Sequence, residues 1–80
     1  MKRKTLKLIE KEVVRAKKVN GALPSDFVYQ AAIVAEEAGE LVKAALKLRY
    51  EGGTVEQIRK EALHTAATCV RLLEAGLGGN

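Results

Sequence analysis

Eighty residues allow one small domain, residues 1–80, and a core of this size stabilises a monomer only marginally. The apolar residues are mainly Ala and larger aliphatic ones, with one Phe, two Tyr and no Trp, so we expect a homo-oligomer that extends the core across chains. The formal net charge is +4, the single cysteine excludes an internal disulfide, and no apolar run is long enough to cross a membrane, so we expect a cytoplasmic protein without a membrane partner.

The first predicted element is an amphipathic helix over residues 3–19, which ends at Asn20-Gly21, ahead of Pro24. Its apolar residues recur at steps of three and four: Leu6, Ile9, Val13 and Ala16. Residues 1–20 hold eight Lys or Arg and two Glu, so this helix is basic. Such a helix either presents a solvated charged face or attracts phosphates, nucleic acid or another anionic surface.

A second helix is predicted over residues 25–50, because Pro24-Ser25-Asp26 offers the residue types that favour a helix start. Its apolar residues cover much of the circumference: Phe27, Ala31, Val34, Ala35, Ala38, Leu41, Val42, Ala45 and Leu46. We therefore expect this helix to be the central element, both within the subunit and at the subunit interface. Glu37 falls in its apolar half, where an unpaired carboxylate would be costly and needs a partner.

A third helix is predicted over residues 55–75, after the break at Gly52-Gly53. Thr54 and Gln57 match the capping box that begins many helices. Its core stripe is Ile58, Ala62, Ala66, Cys69, Val70 and Leu73, so we expect a buried, unreactive Cys69. Gly76 ends the helix, and residues 76–80 are predicted to be a tail. No strand pattern occurs, which predicts an all-α fold: three antiparallel helices that complete a bundle by oligomerisation.

Two pairs of candidate metal ligands are each placed on one helix face by their i, i+3 spacing: Glu37 and Glu40, then Glu61 and His64. If the two helices pack together, three carboxylates and an imidazole share one volume, and the repulsion between the carboxylates favours a bound cation. The alternative stays open for His64 above all, since a lone histidine at the border of a helix face is more often a surface or hydrogen-bonded residue than a metal ligand. Gly39 indicates either close approach by a helix or ligand, or a tolerated small residue.

Residues 35–44, which read AEEAGELVKA, resemble the first motif of the MazG-type, all-α nucleoside triphosphate pyrophosphohydrolases. The motifs of that family are Glu-x-x-Glu and, on the next helix, Glu-x-x-Asp. The second motif here reads Glu61-Ala62-Leu63-His64, with a histidine in place of the aspartate. The resemblance covers roughly residues 27–75.

This resemblance implies that Glu37, Glu40, Glu61 and His64 bind Mg²⁺, and that the three glutamates are catalytic. The implied reaction splits a nucleoside triphosphate into a monophosphate and pyrophosphate, in a homodimer or homotetramer. Lys43 and Lys47, which follow the first motif, are the candidates for contact with the substrate phosphates, and other basic residues nearby could also serve: Arg49, Arg59 and Lys60. Imidazole suits Mn²⁺ and other transition metals better than Mg²⁺, so Mn²⁺ is an alternative cofactor.

Two other functions stay open at this point. One is a non-catalytic relative that binds nucleotide or metal and serves regulation or assembly. The other is a helical interaction module that engages nucleic acid through the basic first helix. The chain has neither a recognisable helix-turn-helix spacing nor a set of aromatic residues for base stacking, so nucleic acid is not the favoured partner.

Overall fold

The computed structural model of the chain describes residues 1–75 and contains three helices: α1 (Arg3–Asn20), α2 (Phe27–Tyr50) and α3 (Val55–Glu74). Residues 1–75 contain no strand, which confirms the predicted all-α class. The helix α2 begins at Phe27, two residues later than predicted, because Asp26 is its N-cap and accepts a hydrogen bond from the Val28 N–H at 3.0 Å. The predicted tail, residues 76–80, lies outside the described residues.

Local signals set the breaks between the helices. Gly21 ends α1 with a φ of +73°, a left-handed conformation that glycine adopts without a steric penalty, and its N–H donates to the Lys17 carbonyl at 3.0 Å. Before α3, the Gln57 N–H donates to Thr54 Oγ1 at 3.2 Å and the Thr54 N–H donates to Gln57 Oε1 at 3.3 Å. The predicted capping box is therefore formed, and α3 begins where the sequence indicates.

The central helix is α3, which packs against both α1 and α2. Within residues 1–75, α1 and α2 make no close backbone contact with each other. The prediction that the second helix is central within the subunit is therefore wrong. The apolar pattern of α2 is wide enough to serve several neighbours, but α3 covers only one side of it. Phe27, Val42 and Leu46 are each more than half exposed, at 63%, 59% and 51%.

Contacts along the helices give their directions. Glu12 approaches His64 to 3.5 Å and Lys17, further along α1, approaches Glu74, further along α3, to 3.9 Å, so these two helices run parallel. Lys47, near the end of α2, lines a groove with Gln57, near the start of α3, while Glu37, earlier on α2, lies 3.8 Å from His64, later on α3, so α2 runs antiparallel to α3. None of these three helices combines the length and the apolar character that a membrane crossing requires.

The buried apolar core is small and built from Val13, Ala16, Ala44 and Ala67. The buried polar residues include Thr68 and Arg71, and Arg71 donates a hydrogen bond to the Gly21 carbonyl, which ties the connection after α1 to α3. Cys69 is exposed, so the prediction that it is buried is wrong. The most deeply buried line of α3 passes through Ala67, Thr68 and Arg71, and this line turns Cys69 outward.

Candidate metal centre

Glu37, Glu61 and His64 each bring one potential ligand atom to within 4.8 Å of the others. We call this group of three side chains, which is a candidate site for one metal ion, the metal cluster. The Nδ1 atom of His64 lies 3.1 Å from Glu61 Oε1 and 3.8 Å from Glu37 Oε2. All three residues are partly buried. Three of the four ligands predicted from the sequence therefore meet at one point between α2 and α3.

Helix geometry explains why these side chains converge. Glu61 and His64 are three residues apart on α3, so they share one face of that helix. The antiparallel neighbour α2 presents Glu37 to the same face. The hydroxyl groups of two threonines on α3 bond to the backbone and not to the side chains of this site. Thr65 donates to the Glu61 carbonyl and Thr68 to the His64 carbonyl, each at 2.8 Å.

Glu40, the fourth predicted ligand, is exposed and lies outside the metal cluster. Spacing alone does not explain this, because Glu61 and His64 have the same i, i+3 spacing on α3 and do meet; the difference is that the packing of α2 on α3 places Glu40 at a neighbouring groove. Glu40 lines a groove of about 140 Å³ that runs between α2 and α3, and we call it the lysine groove. Its charged lining residues are Glu40, Lys43, Lys47, Lys60 and Glu61. Because Glu61 belongs to both sites, the groove adjoins the metal cluster. The groove also contains both lysines that were predicted to contact phosphates.

Glu12 on α1 is the residue at this site that the sequence analysis missed. It is only 9% exposed, and its two carboxylate oxygens accept hydrogen bonds from Arg15 Nε at 2.8 Å and from Arg15 Nη2 at 2.6 Å. The hydrogen bond from Arg15 holds the pKa of Glu12 below its ordinary value of 4.5, against the opposing effect of burial. The available signal was the position of Glu12, three residues after Ile9 and four before Ala16 in the apolar stripe of α1.

Glu12 also reaches the metal cluster from the side opposite α2. Its Oε2 atom lies 3.5 Å from His64 Nε2, while the other ring nitrogen of His64 faces Glu37 and Glu61. The imidazole therefore stands between carboxylates contributed by all three helices. The nearby positive charges of Arg15 and Lys60 contribute to the lowered pKa of Glu12.

A cleft of about 340 Å³ lies between α1 and α2, above α3. It exists because α1 and α2 do not pack against each other. Its lining includes Glu12, Arg15, Glu37, His64 and Arg71. The metal cluster thus borders an open cleft, whose two arginines are already bonded within the protein, Arg15 to Glu12 and Arg71 to the Gly21 carbonyl.

No protein-family model, curated protein or solved structure matches this chain. The likeness to MazG-type enzymes therefore rests on the two acidic motifs of the sequence. Membership of that family stays a prediction.

The potential ligand atoms of the metal cluster are two carboxylate oxygens and one imidazole nitrogen. Carboxylates accept Mg²⁺, but Mg²⁺ prefers a set made only of oxygen ligands. A mixed oxygen and nitrogen set suits Mn²⁺ or another transition ion better. The residues present therefore fit a divalent ion, and their chemistry favours Mn²⁺ over the Mg²⁺ that the family resemblance implies.

Proposed function

We propose that this protein is a divalent-metal-dependent nucleoside triphosphate pyrophosphohydrolase. The observation that carries the proposal is the convergence of Glu37, Glu61 and His64 within 4.8 Å, at the place where the two motifs of the sequence meet. Carboxylates gathered this closely repel one another, and a divalent cation relieves the repulsion. The lysine groove beside the cluster adds a second kind of support, because phosphate groups require positive partners.

In this proposal Glu37, Glu61 and His64 hold the ion, and Glu40 lies next to them at the edge of the lysine groove. A bound divalent ion supplies neutralisation of phosphate charge and a lowered pKa for the attacking water. The protein's own groups do the rest. A carboxylate of the cluster accepts a proton from the water as the water oxygen attacks the α-phosphorus, and the bond from that phosphorus to the leaving pyrophosphate oxygen breaks.

The lysine groove has a separate role in the proposal. Lys43, Lys47 and Lys60 line one short groove next to Glu61, so their ammonium groups can bind the β- and γ-phosphates on the leaving side of the reaction. Each ammonium would stabilise the negative charge that develops on pyrophosphate as it departs. All three lysines are among the basic residues that the sequence analysis put forward.

Assembly as a homodimer or homotetramer is part of the same proposal. The apolar residues of α2 that α3 leaves uncovered support it, in particular Val42 and Leu46. With Leu48, Tyr50 and Ile58 they line an open groove of about 470 Å³ on the outer side of the α2–α3 pair. Contiguous apolar surface of this kind marks interaction sites.

The central experiment is a screen of nucleoside triphosphates for pyrophosphate release with Mg²⁺ and with Mn²⁺. We expect release from at least one substrate, faster with Mn²⁺, and a loss of at least about 100-fold for Glu37→Gln, because removal of one charged ligand impairs the ion site. Glu36→Gln is the matched control, since Glu36 is the exposed neighbour of Glu37 on α2 and should leave activity near that of the wild type. Equal loss in both variants would contradict the assignment.

A non-catalytic relative that binds metal or nucleotide is the second candidate. The position of Glu40, exposed and outside the cluster, favours it, because the cluster then holds two carboxylates and an imidazole instead of four carboxylates. This candidate predicts that Mn²⁺ or a nucleotide raises the melting temperature while no triphosphate in the screen is cleaved. The same samples therefore separate the two candidates.

A further inference from the structure

We propose that Glu12 is a positioning residue for the metal centre: it holds the His64 ring so that Nδ1 is presented to the ion and Nε2–H points to the α1 carboxylate. This inference rests on the proposed function, because it assigns a role to a residue outside the predicted ligand set. It also means that α1, which carries neither of the two acidic motifs, contributes a residue to the site.

The two nitrogens of His64 have different surroundings. Nδ1 faces the cluster, at 3.1 Å from Glu61 and 3.8 Å from Glu37. Nε2 faces α1, at 3.5 Å from Glu12 Oε2. An ion held among the cluster residues would therefore meet Nδ1 and leave the proton on Nε2, which lies 3.5 Å from Glu12 Oε2, an ion-pair distance that is long for a hydrogen bond.

Glu12 is itself held in place. Both of its oxygens accept hydrogen bonds from the guanidinium of Arg15, one turn further along α1, and its side chain is almost fully buried. A carboxylate with both oxygens bonded to one planar fork has little freedom to rotate. It can therefore define the orientation of the ring beside it.

A role for Glu12 as a fourth ligand fits the geometry less well. Glu12 meets the nitrogen of His64 that faces away from Glu37 and Glu61, so the ring separates it from the cluster. Its charge is also already paired with Arg15. Carboxylates that lie behind a metal-bound imidazole fix its tautomer and increase its basicity, and their loss typically costs 10- to 100-fold in metal affinity.

Calorimetric titration of the full chain with Mn²⁺ tests the inference. We expect Glu12→Ala to weaken Mn²⁺ binding about tenfold. Glu12→Gln should lose less, because its amide oxygen still accepts the Nε2–H. Glu10→Ala is the control, since Glu10 is exposed on the same helix, and it should bind as the wild type does. Thermal unfolding establishes whether each variant is folded. If Glu12→Ala does not fold, the comparison of Glu12→Gln with the wild type decides the test.

A spectroscopic readout separates positioning from a general structural role. His64 is the only histidine of the chain, so the ¹⁵N resonances of an imidazole-labelled sample report on it alone. With Zn²⁺ as a diamagnetic probe, we expect a metal-bound Nδ1 and a protonated Nε2 in the wild type, and a mixture of binding modes in Glu12→Ala.

The outcomes are distinguishable. Mn²⁺ binding that is equal in the wild type and Glu12→Ala, or Zn²⁺ bound through Nε2 in the wild type, would overturn the positioning role and leave the proposed function standing. A wild type that takes up neither ion would overturn the proposed function and, with it, the role of Glu12.

Discussion

Charge pairing around one imidazole is the residue-scale feature that defines this molecule. Glu12, Glu37 and Glu61 surround His64, and each comes within 3.8 Å of a ring nitrogen. Glu12 is paired with the guanidinium of Arg15, and the salt bridges of Glu37 and Glu61 are to His64, at 3.8 Å and 3.1 Å. The ion proposed above would add positive charge beside these two carboxylates.

The pairing with Arg15 predicts how stability depends on pH. Because the pKa of Glu12 is lower in the folded protein than its ordinary value of 4.5, its ionised form stabilises the fold above that value. This contribution is lost as the pH falls through the folded-state pKa. We expect Glu12→Gln to lower the free energy of unfolding by about 1 kcal/mol at pH 7 and by progressively less below about pH 4.

Urea denaturation at pH 7 and at pH 3 measures this difference. Glu10→Gln provides the comparison, because Glu10 is exposed on α1 and the substitution should change stability little at either pH. A destabilisation by Glu12→Gln that is the same at both pH values would show that the charge of Glu12 does not stabilise the fold.

At the scale of the helices, the register between α2 and α3 decides whether the two motifs meet. That register depends on the short connection at residues 51–54. A Cβ atom added at Gly53 would lie 2.9 Å from backbone atoms of Lys47 and Leu48. Since neither backbone can yield without disturbing the end of α2, the connection requires glycine at this position.

We therefore expect Gly53→Ala to destabilise the protein by about 1–3 kcal/mol, through overpacking against the α2 backbone. Gly39→Ala is the matched contrast, because a Cβ at Gly39 meets no heavy atom within 4 Å and alanine is the better helix former. It should stabilise the protein by about 0.5–1 kcal/mol. Chemical denaturation of both variants tests the pair, and two changes of the same sign would contradict the expected contrast.

The Gly39→Ala variant also distinguishes the two explanations of Gly39, close approach by a neighbour or a tolerated small residue. Nothing in the described part of the chain approaches the position closely, so no intramolecular contact requires glycine there. If Gly39→Ala stabilises the fold but impairs nucleotide cleavage, close approach of a ligand or a second subunit explains the glycine. If both properties are preserved, the residue is simply tolerated.

At the scale of the whole molecule, the described chain covers its apolar surface incompletely. No large side chain among the described residues is fully buried, and exposed apolar residues extend along α2, including Val42 and Leu46. A small core leaves little margin of stability. Burial of the outer face of α2 against further copies of the chain would add the apolar area that a single chain lacks.

We expect the wild type to sediment as a dimer or tetramer and Leu46→Glu to shift it towards the monomer. The physical reason is that a carboxylate buried without a partner opposes association. Val14→Glu is the control, since Val14 is 64% exposed on α1, away from the proposed interface. Sedimentation velocity over a range of concentrations provides the measurement. A monomeric wild type, or identical masses for all three proteins, would refute assembly through α2.

Local sequence signals account for much of the secondary structure and for part of the candidate site. Helix ends follow from caps and glycines, as at Asp26, Gly21 and Thr54, whose effects reach only a few residues. The i, i+3 spacing likewise identifies Glu61 and His64 as neighbours, because helix geometry alone places them on one face.

Only the tertiary structure decided which helix faces meet. Periodicity shows how wide the apolar face of α2 is, but not that α3 rather than α2 occupies the centre of the chain. It also does not show that α1 brings Glu12 to His64, or that Glu40 turns from the cluster towards the lysines. These arrangements depend on packing between residues distant in sequence, whereas the caps and the spacing of the motifs depend on contacts within a single helical turn.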